Sequence, residues 1–445
     1  MQDINDGKSA TAAVIGGGVA GMVAALRLAE SGVDVTLFEQ KARLGGRMFS
    51  FYDAKTEDVV DNGQHLMVGA YAEFFDFLRA IGTYDLLPKD SIKTFTFATP
   101  TGRAKLDAGR FKGKAGLLTG LISMKGVTLS AKYAAMKFAT AINSGYEPES
   151  DMTARDVLNK YEQDQRFTEI VWDPLVVSTI NVPPEKASGR LFVNTLREGF
   201  LSGEPGLIIP KTNLSDLFKP FAEKFKGRGG RIYFSTPIQK LEHNGRRYVA
   251  QTSAETYEYD YIITAVEPHS LSKALNGAER DLREKLGLIK YSPILSVYLW
   301  LEGETHFEPA LALPGEKFDW LFDRDALTGK QNDMTRLAFT KSAADEYASA
   351  ANEDIAEICL ELAKKYGSSP NVKLKRYIVI NDPRATALID PATESMRENL
   401  PLRLSNLYIT GDWTLAGLPA TIETAARSGN KAAREIIARI RGERR

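Results

Sequence analysis

The chain has 445 residues, of which 43% are hydrophobic and 26% charged, and its 57 Lys and Arg residues balance 57 Asp and Glu residues. This length predicts two or three structural units with a large buried core, and the balanced charge argues against nucleic acid as a partner. One cysteine excludes an internal disulfide framework and a cysteine-based metal cluster, and no signal peptide or membrane-span pattern is present, so we expect a cytoplasmic protein.

The first forty residues predict a strand, a turn and a helix. Residues 11–15 form a short apolar run, and apolar side chains then recur at helical spacing. The three glycines of the turn have the spacing of a dinucleotide fingerprint, which gives a tight turn, a close approach of backbone to pyrophosphate and close packing of helix on strand. The helix N-terminus offers unpaired N–H groups to the phosphates. The residues expected there are Gly16, Gly18, Val19, Ala20 and Gly21.

A second predicted strand, residues 33–38, ends at Glu39. The fingerprint requires a carboxylate at this place to accept the hydroxyls of an adenosine ribose. A purely structural glycine turn in a parallel sheet is the alternative, but it leaves the order of strand, glycines, helix, strand and acid unexplained. We therefore interpret the N-terminus as a dinucleotide-binding unit.

The segment after this unit begins at Gln40 and contains Gly45, Gly46 and Arg47. This step resembles the flavin amine oxidase and carotenoid desaturase superfamily, in which it passes close to the FAD pyrophosphate. The chemistry agrees, because glycine exposes backbone N–H groups and a guanidinium can pair with phosphate, although a solvated arginine is the alternative. The resemblance implies an α/β fold: a Rossmann-like FAD-binding domain of the GR2 or amine-oxidase type with an inserted mixed α+β substrate domain.

Two later segments resemble the superfamily's other contacts with the cofactor. Residues 231–242 predict a strand broken at a proline, and the backbone around Ile238 matches the part that holds the adenine. Near the C-terminus a buried strand ends at Gly411 and Asp412, whose carboxylate is implied to accept hydrogen bonds from the ribityl chain. A helix follows, and its positive N-terminus is implied to face the flavin pyrimidine edge. The helix residues concerned are Ala420, Thr421 and Ile422.

The resemblance also predicts how the chain is divided and how the flavin is held. The single cysteine, Cys359, lies in a predicted amphipathic helix, residues 354–366, where burial as a small apolar residue is expected. We therefore expect non-covalent FAD. The FAD-binding domain is predicted to be discontinuous, with residues 1–71, 206–285 and 385–445, and residues 72–205 and 286–384 are left for the substrate.

The most specific stretch, residues 61–71, resembles the segment that isoprenoid desaturase-like enzymes place beside the isoalloxazine, which implies contacts from Gly63, Gln64 and His65. Together with residues 172–188 and the C-terminal segment, it resembles the bacterial hydroxysqualene dehydroxylases, also known as squalene-associated FAD-dependent desaturases. Residues 105–146 match only loosely. The resemblance implies an enzyme of isoprenoid and hopanoid precursor synthesis that replaces the allylic hydroxyl of hydroxysqualene by hydrogen.

Such a reaction requires an acid that helps water to leave, and His65 and Asp61 are the titratable residues expected nearest the flavin. Two roles stay open for each residue. His65 is either a proton donor or a hydrogen-bonded strand histidine, and Asp61 either donates a proton or fixes its loop by accepting N–H bonds. Trp413 and Tyr71 are candidates for the substrate side of the flavin, with a place in the core as the alternative.

Residues 111–142 combine many apolar side chains with five lysines and contain no Asp or Glu. This pattern favours a monotopic helix or loop on an anionic membrane surface, and hence peripheral binding to the inner face of the cytoplasmic membrane. A helical cap over the substrate domain, with its lysines in solvent, is the alternative.

Two rival functions fit the same pattern. A carotenoid or squalene desaturase takes hydride from a similar substrate in the opposite direction, and a non-catalytic prenyl-lipid carrier shares the fold. The full set of Glu39, the Gly-Gly-Arg step and Asp412 argues against a carrier. The sequence has no second glycine fingerprint for a tightly held NADPH, and it indicates neither the electron donor nor the oligomeric state.

Overall fold

A computed structural model describes residues 9–100, 102–201, 205–275, 279–329 and 334–443. One of its two large sheets has six strands, and five of them run parallel, while the short strand at one edge is antiparallel. The central strands are buried on both faces, as expected of a parallel sheet covered by helices. In spatial order the strands are Arg403–Leu404, Leu407–Ile409, Tyr261–Thr264, Thr11–Ile15, Asp34–Phe38 and Arg231–Tyr233.

Two helices connect the ends of the chain on this sheet. The first helix, Val19–Glu30, joins two neighbouring parallel strands, and the last helix, Ile422–Glu443, packs along it. Both contribute to one apolar core, which contains Met22 of the first helix and Ile436 of the last. The C-terminal segment therefore lies beside the first glycine turn.

The second large sheet has seven strands, antiparallel except for one parallel pair. One face packs against the helix Asn352–Tyr366, which buries Cys359, and the other face carries a separate apolar cluster that includes Tyr298, Trp300 and Trp320. In spatial order the strands are Lys373–Ala387, Tyr291–Glu302, Thr335–Ser342, Trp320–Asp323, Ala310–Ala312, Thr94–Thr99 and Gly102–Asp107.

Short elements complete the described structure. The remaining strands are Ser50–Asp53, Asp58–Asp61, Met67–Val68, Leu207–Ile208, Lys240–His243, Tyr248–Gln251 and Thr256–Tyr257. The other α-helices are Ala72–Ile81, Gly113–Ser123, Leu129–Asn143, Ala154–Lys160, Gln165–Phe167, Asp173–Ile180, Gly189–Thr195, Phe221–Lys226, Pro268–Ala274, Arg280–Leu288, Arg324–Thr328 and Pro391–Glu398. Tyr84–Leu86, Leu214–Phe218 and Asp345–Tyr347 are 3₁₀ turns, and Thr168–Trp172 and Leu196–Leu201 are π-helical.

Two local segments differ in detail from the expectations. Residues 231–242 contain two strands, Arg231–Tyr233 and Lys240–His243, on either side of the predicted break, and these strands belong to different sheets. The break begins before Pro237, because Ser235 takes a positive φ of 52°, and Pro237 has no N–H to donate. His65, for which a strand position was one of two open roles, lies in the loop between Asp58–Asp61 and Met67–Val68.

The lysine-rich region forms two helices rather than one, Gly113–Ser123 and Leu129–Asn143. The chain turns at Gly126, which has a φ of +77°, and the Thr128 side chain caps the second helix by accepting the N–H of Ala131. Among the described residues, none of the helices combines the length and apolar character needed to cross a membrane.

Candidate cofactor site and substrate cavity

Two glycine turns lie face to face at the carboxyl end of the six-stranded sheet. Gly16 has a φ of +105°, Gly45 of +97° and Gly46 of +59°, all of which L side chains rarely adopt. The Gly45 N–H donates to the Gly17 carbonyl over 2.9 Å, and a Cβ added to Gly46 would lie 3.1 Å from the Gly18 Cα. The turns thus form a cradle of bare backbone beside the N-terminus of the first helix, which suits a pyrophosphate.

Two further glycines allow the helices around this cradle to pack closely. A Cβ at Gly21 would lie 1.9 Å from the Gly16 carbonyl oxygen, and a Cβ at Gly429 would lie 2.1 Å from the carbonyl oxygen of Ala20. Val19 and Ala20 are buried in the first turn of the helix. The sequence predicts a pyrophosphate contact for these helix residues, and the structure places them directly behind the cradle.

The carboxylate of Glu39 is buried at the end of the second parallel strand. It accepts the backbone N–H of Gly17 and of Lys41, each over 2.6 Å. These bonds fix the carboxylate beside the glycine turn and leave lone pairs on both oxygens for ribose hydroxyls. The Thr236 N–H donates to the Glu39 carbonyl, so the segment leading to half-buried Ile238 lies alongside, as the adenine prediction requires.

Arg47 and Asp412 are paired across 365 positions of sequence. The Arg47 Nη2 donates to Asp412 Oδ1 over 2.6 Å and Nη1 donates to the Ala385 carbonyl over 2.5 Å. Asp412 raises the pKa of the half-exposed Arg47 guanidinium. The partner of Arg47 in the structure is therefore a carboxylate, and the pair joins the Gly-Gly-Arg turn to the C-terminal segment.

A buried arginine, Arg397, which no sequence motif indicates, holds the loop of residues 411–418. Arg397 donates to the carbonyls of Trp413 over 2.8 Å and of Leu418 over 2.9 Å, and also to that of Leu415. Its Nη1 donates to Glu394, whose other oxygen accepts the Gly417 N–H over 2.5 Å. Both charged side chains are almost fully buried, so the loop is fixed by a paired charge.

The same loop leads to the N-terminus of the last helix. Gly411 has a φ of +146°, and its N–H donates to the Ser428 hydroxyl over 3.1 Å. Ala420 and Thr421 precede the first helical residue, Ile422, and Thr421 Oγ1 accepts the Thr424 N–H over 3.3 Å. Trp413 packs in the core, where its indole donates to a backbone carbonyl, so it does not line the cavity described below.

Asp61 and His65 both make contacts that favour structural roles. Asp61 Oδ1 accepts the Ser50 hydroxyl over 2.6 Å and the Leu214 N–H over 3.0 Å, and burial raises its pKa. His65 Nδ1 lies 2.9 Å from the Gly63 carbonyl, which requires the proton on Nδ1 and leaves Nε2 as an acceptor. Burial lowers the His65 pKa, so the neutral ring is favoured. Gln64 lies between Gly63 and His65 in the loop. A Cβ added to Gly63 would lie 3.0 Å from the Ser296 hydroxyl oxygen.

A largely apolar cavity of about 710 Å³ lies between the seven-stranded sheet and the helices inserted before it. This volume falls within the range for pockets that enclose small molecules. The cavity begins at Leu418 and Thr421 beside the last helix and extends to the two lysine-rich helices. Both π-helical segments contribute to its wall, and such segments are frequent at functional sites.

Polar atoms make up only a small part of the surface of this cavity. Glu423 accepts the N–H groups of Glu73 and Phe74 at the start of a helix, and it also accepts Arg427 Nε over 2.7 Å. Tyr71 lies beside Thr421 on the wall, and burial raises its pKa to about 12, so the phenol is neutral at physiological pH. Asp61 and His65 are not among the residues of this wall.

The two lysine-rich helices at the far end of the cavity, with Phe111 just before them, carry exposed apolar side chains. The surface fraction exposed is 84% for Leu129, 70% for Tyr133 and 53% for Ile122, and Phe111 and Leu118 are also exposed. We call these five side chains the apolar rim. The rim is interleaved with lysines and with no acidic residue between positions 111 and 142.

Comparison with known proteins gives concordant results. The family model described as "Flavin containing amine oxidoreductase" matches residues 19–437. A hydroxysqualene dehydroxylase of Rhodopseudomonas palustris is 29% identical over 97% of this chain and 99% of its own, and a 15-cis-phytoene desaturase of Synechococcus elongatus is 22% identical over 96% of each. The crystal structure of putrescine oxidase bound to putrescine superposes with a TM-score of 0.75 at 14% identity, over 97% of this chain and 99% of that one. This likeness confirms the predicted fold.

Proposed function

Because the chain belongs to the flavin-containing amine oxidoreductase family, we propose that it removes the hydroxyl of hydroxysqualene reductively and releases squalene, with non-covalent FAD as cofactor. When bound, reduced FAD would supply the hydride, and the hydroxyl would leave with a proton as water. The cradle at Gly18 and Gly46 would hold the pyrophosphate, Glu39 the ribose, and the segment around Asp412 the ribityl chain and flavin. The single cysteine, Cys359, packs on the far face of the seven-stranded sheet from the cavity, which supports a flavin without a thioether bond.

The cavity is the observation that carries this proposal. Its wall is overwhelmingly hydrocarbon, it starts at the loop expected beside the flavin, and it continues to the protein surface at the lysine-rich helices. A long isoprenoid fits this environment because burial of apolar surface is its main source of binding free energy. The protein's own part in the reaction is to hold the chain in place and to exclude water.

A desaturase that takes hydride from a hydrocarbon is the second candidate. The similarity to phytoene desaturases and the low polarity of the cavity favour it. The two candidates differ in the direction of hydride transfer and in the presence of a hydroxyl on the substrate.

The apolar rim supports a further part of the proposal, peripheral binding to the cytoplasmic face of the membrane. Leu129 and Tyr133 project where the cavity approaches the surface, and neighbouring lysines such as Lys125 and Lys137 are exposed. Apolar side chains between basic residues suit insertion into an anionic interface. An isoprenoid could then pass from the bilayer into the cavity without crossing water.

The division of the chain into a discontinuous FAD-binding unit and an inserted substrate unit also stays a proposal. It is supported by the two sheets, because the six-stranded sheet draws its strands only from residues 11–38, 231–264 and 403–409.

The reaction is tested by anaerobic incubation of the FAD-loaded protein with hydroxysqualene after reduction by dithionite. We expect squalene in the extract and reappearance of oxidised flavin absorbance, and none of either with hydroxysqualene omitted. Protein carrying oxidised FAD serves as the control for direction. Absence of squalene, together with bleaching of oxidised flavin by phytoene or squalene, would establish the desaturase instead.

A further inference from the structure

The cavity wall contains several hydroxyl groups, but most of them have already used their protons. Four threonines donate to backbone carbonyls four or five residues earlier in the chain. A donor satisfied in this way is not available to a ligand. The four bonds run from Thr140 to Met136 over 2.9 Å, from Thr179 to Leu175 over 2.7 Å, from Thr195 to Leu191 over 2.7 Å, and from Thr424 to Pro419 over 2.6 Å.

Ser178 differs from these residues. The Trp320 indole Nε1–H donates to Ser178 Oγ over 2.7 Å, and both side chains line the cavity. An indole nitrogen can only donate, so the serine oxygen is the acceptor and its own proton needs another partner. Within the described ranges of the chain, Ser178 has no acceptor for that proton. A hydroxyl donor is therefore left at the wall of an apolar cavity, where an unmade hydrogen bond is unfavourable.

Trp320 is held rigidly, which fixes the position of this donor. The indole is 8% exposed and stacks on Phe322 with ring centroids 5.9 Å apart and an interplanar angle of 12°. Its strand is paired on both sides, with Trp320 opposite Ala312 and Thr340. A bond from a fixed N–H also polarises the serine hydroxyl and strengthens its donation to a further acceptor.

The register of the sheet relates Ser178 to the segment predicted beside the isoalloxazine. Trp320 lies opposite Thr340, and Thr340 lies opposite Ser296, so two strand spacings, about 10 Å, separate Trp320 from Ser296. The Ser296 hydroxyl in turn lies 3.0 Å from where a Cβ on Gly63 would stand. Trp320, which positions the unpaired donor, therefore lies on the same face of the sheet as Ser296 and two strands away from it.

We propose that Ser178, positioned by Trp320, binds the hydroxyl oxygen of the isoprenoid alcohol and makes the cavity select alcohols over the corresponding hydrocarbons. This inference rests on the proposed function and deepens it, because it names the group that recognises the substrate's oxygen. A hydrocarbon of the same length fills the cavity but offers no acceptor to Ser178. Ser178 acts as a specificity residue by hydrogen bonding, and the bond also fixes which carbon of the chain lies at that place along the cavity.

Equilibrium binding tests this directly, because it does not depend on turnover. Labelled hydroxysqualene and squalene are partitioned from cyclodextrin into the FAD-loaded protein, and the ratio of their affinities is measured. We expect Ser178→Ala to lower the affinity for hydroxysqualene about 3- to 10-fold and to leave that for squalene unchanged. Trp320→Phe keeps an aromatic ring, smaller than the indole, and removes the N–H, so it should lower the ratio of hydroxysqualene affinity to squalene affinity by a smaller factor.

Thr179→Ala is the matched control, because Thr179 lines the same cavity from the adjacent position but has its proton on the Leu175 carbonyl. Its affinity ratio should equal that of the wild type. A Ser178→Ala protein that keeps the wild-type ratio, or a Thr179→Ala protein that loses it equally, overturns the inference. If either of these outcomes is found but the wild-type protein converts hydroxysqualene to squalene, the inference fails and the proposed function still holds.

Discussion

Gly18 and Gly21 lie three residues apart in one turn. The structure predicts that alanine at Gly18 weakens FAD binding and that alanine at Gly21 lowers the stability of the fold. Gly18 has φ −75° and ψ −178°, which an L residue adopts without strain, and the nearest atom to an added Cβ is the Gly46 Cα at 4.0 Å. The methyl of Gly18→Ala therefore enters the gap between the two glycine turns without meeting the protein. In Gly21→Ala the methyl would lie 1.9 Å from the Gly16 carbonyl oxygen.

The expected magnitudes differ accordingly. Alanine at the N-cap position of Gly18 lowers stability by about 0.5–1 kcal/mol, and the lower entropy of its unfolded chain raises stability by about 0.4–1 kcal/mol. The free energy of unfolding of the apoprotein should therefore be almost unchanged. The same methyl prevents close approach of pyrophosphate to the backbone. Losing one hydrogen bond to a charged group costs about 1.5–3 kcal/mol, or about 10- to 150-fold in the FAD dissociation constant. Gly21→Ala should destabilise the apoprotein by about 3 kcal/mol, since the clash is with backbone.

Two measurements separate these effects. Thermal unfolding of each apoprotein by circular dichroism reports stability, and titration with FAD, followed by flavin fluorescence, reports affinity. We expect Gly18→Ala to retain the wild-type melting temperature and to bind FAD weakly, and Gly21→Ala to melt at a lower temperature. Wild-type affinity in Gly18→Ala, or equal destabilisation of the two variants, would refute the pyrophosphate cradle.

Two other predictions concern the membrane and the flavin-side loop. Replacing Ile122, Leu129 and Tyr133 of the apolar rim by Ser removes exposed apolar surface and should reduce binding to anionic liposomes at least tenfold in a flotation assay. None of the three residues lines the cavity, so the substrate site should be unaffected, and the exposed control Leu288→Ser should bind as the wild type does. Unchanged binding of the triple variant would exclude the rim as the membrane contact. Burial lowers the His65 pKa in the folded state, so the unfolded chain binds more protons below about pH 6.5 and the free energy of unfolding falls as the pH drops from that value. His65→Asn keeps a donor for the Gly63 carbonyl and should flatten this slope in denaturant titrations between about pH 5 and 6.5; a slope equal to the wild type would show that other groups cause it.

The parts of the site that follow backbone geometry could be predicted from the sequence. Gly16, Gly45 and Gly46 have a positive φ, and Gly21 has no room for a Cβ, so these positions favour glycine and carry the motif. Glu39 was predictable because the acid follows a short parallel strand. The boundaries of short segments were less predictable. Residues 231–242 have strand-like composition, yet the first strand ends at Tyr233, a positive φ at Ser235 turns the chain, and pairing resumes only at Lys240 in another sheet.

Groups brought together by long-range packing were not predictable. Arg397 and Glu394 have the i, i+3 spacing of an ordinary exposed helix pair, and only the fold shows that both are buried beneath residues 413–418. For His65 the sequence left two roles open, proton donor and hydrogen-bonded histidine. The Nδ1 contact with Gly63 and the lowered pKa favour a neutral ring that orders its own loop.

The cavity explains why a substrate hydroxyl would be recognised by an inconspicuous residue. Charged side chains at the wall, such as Glu423 and Arg427, neutralise each other, and an unpaired charge there would be poorly solvated against a hydrocarbon chain. A neutral donor has a much smaller desolvation cost, and one hydrogen bond suffices to distinguish an alcohol from a hydrocarbon of equal length. Ser178 meets this requirement only because Trp320 occupies its oxygen, and that pairing joins positions 142 residues apart. The chemical selectivity proposed for this chain therefore depends on a contact that no local motif encodes.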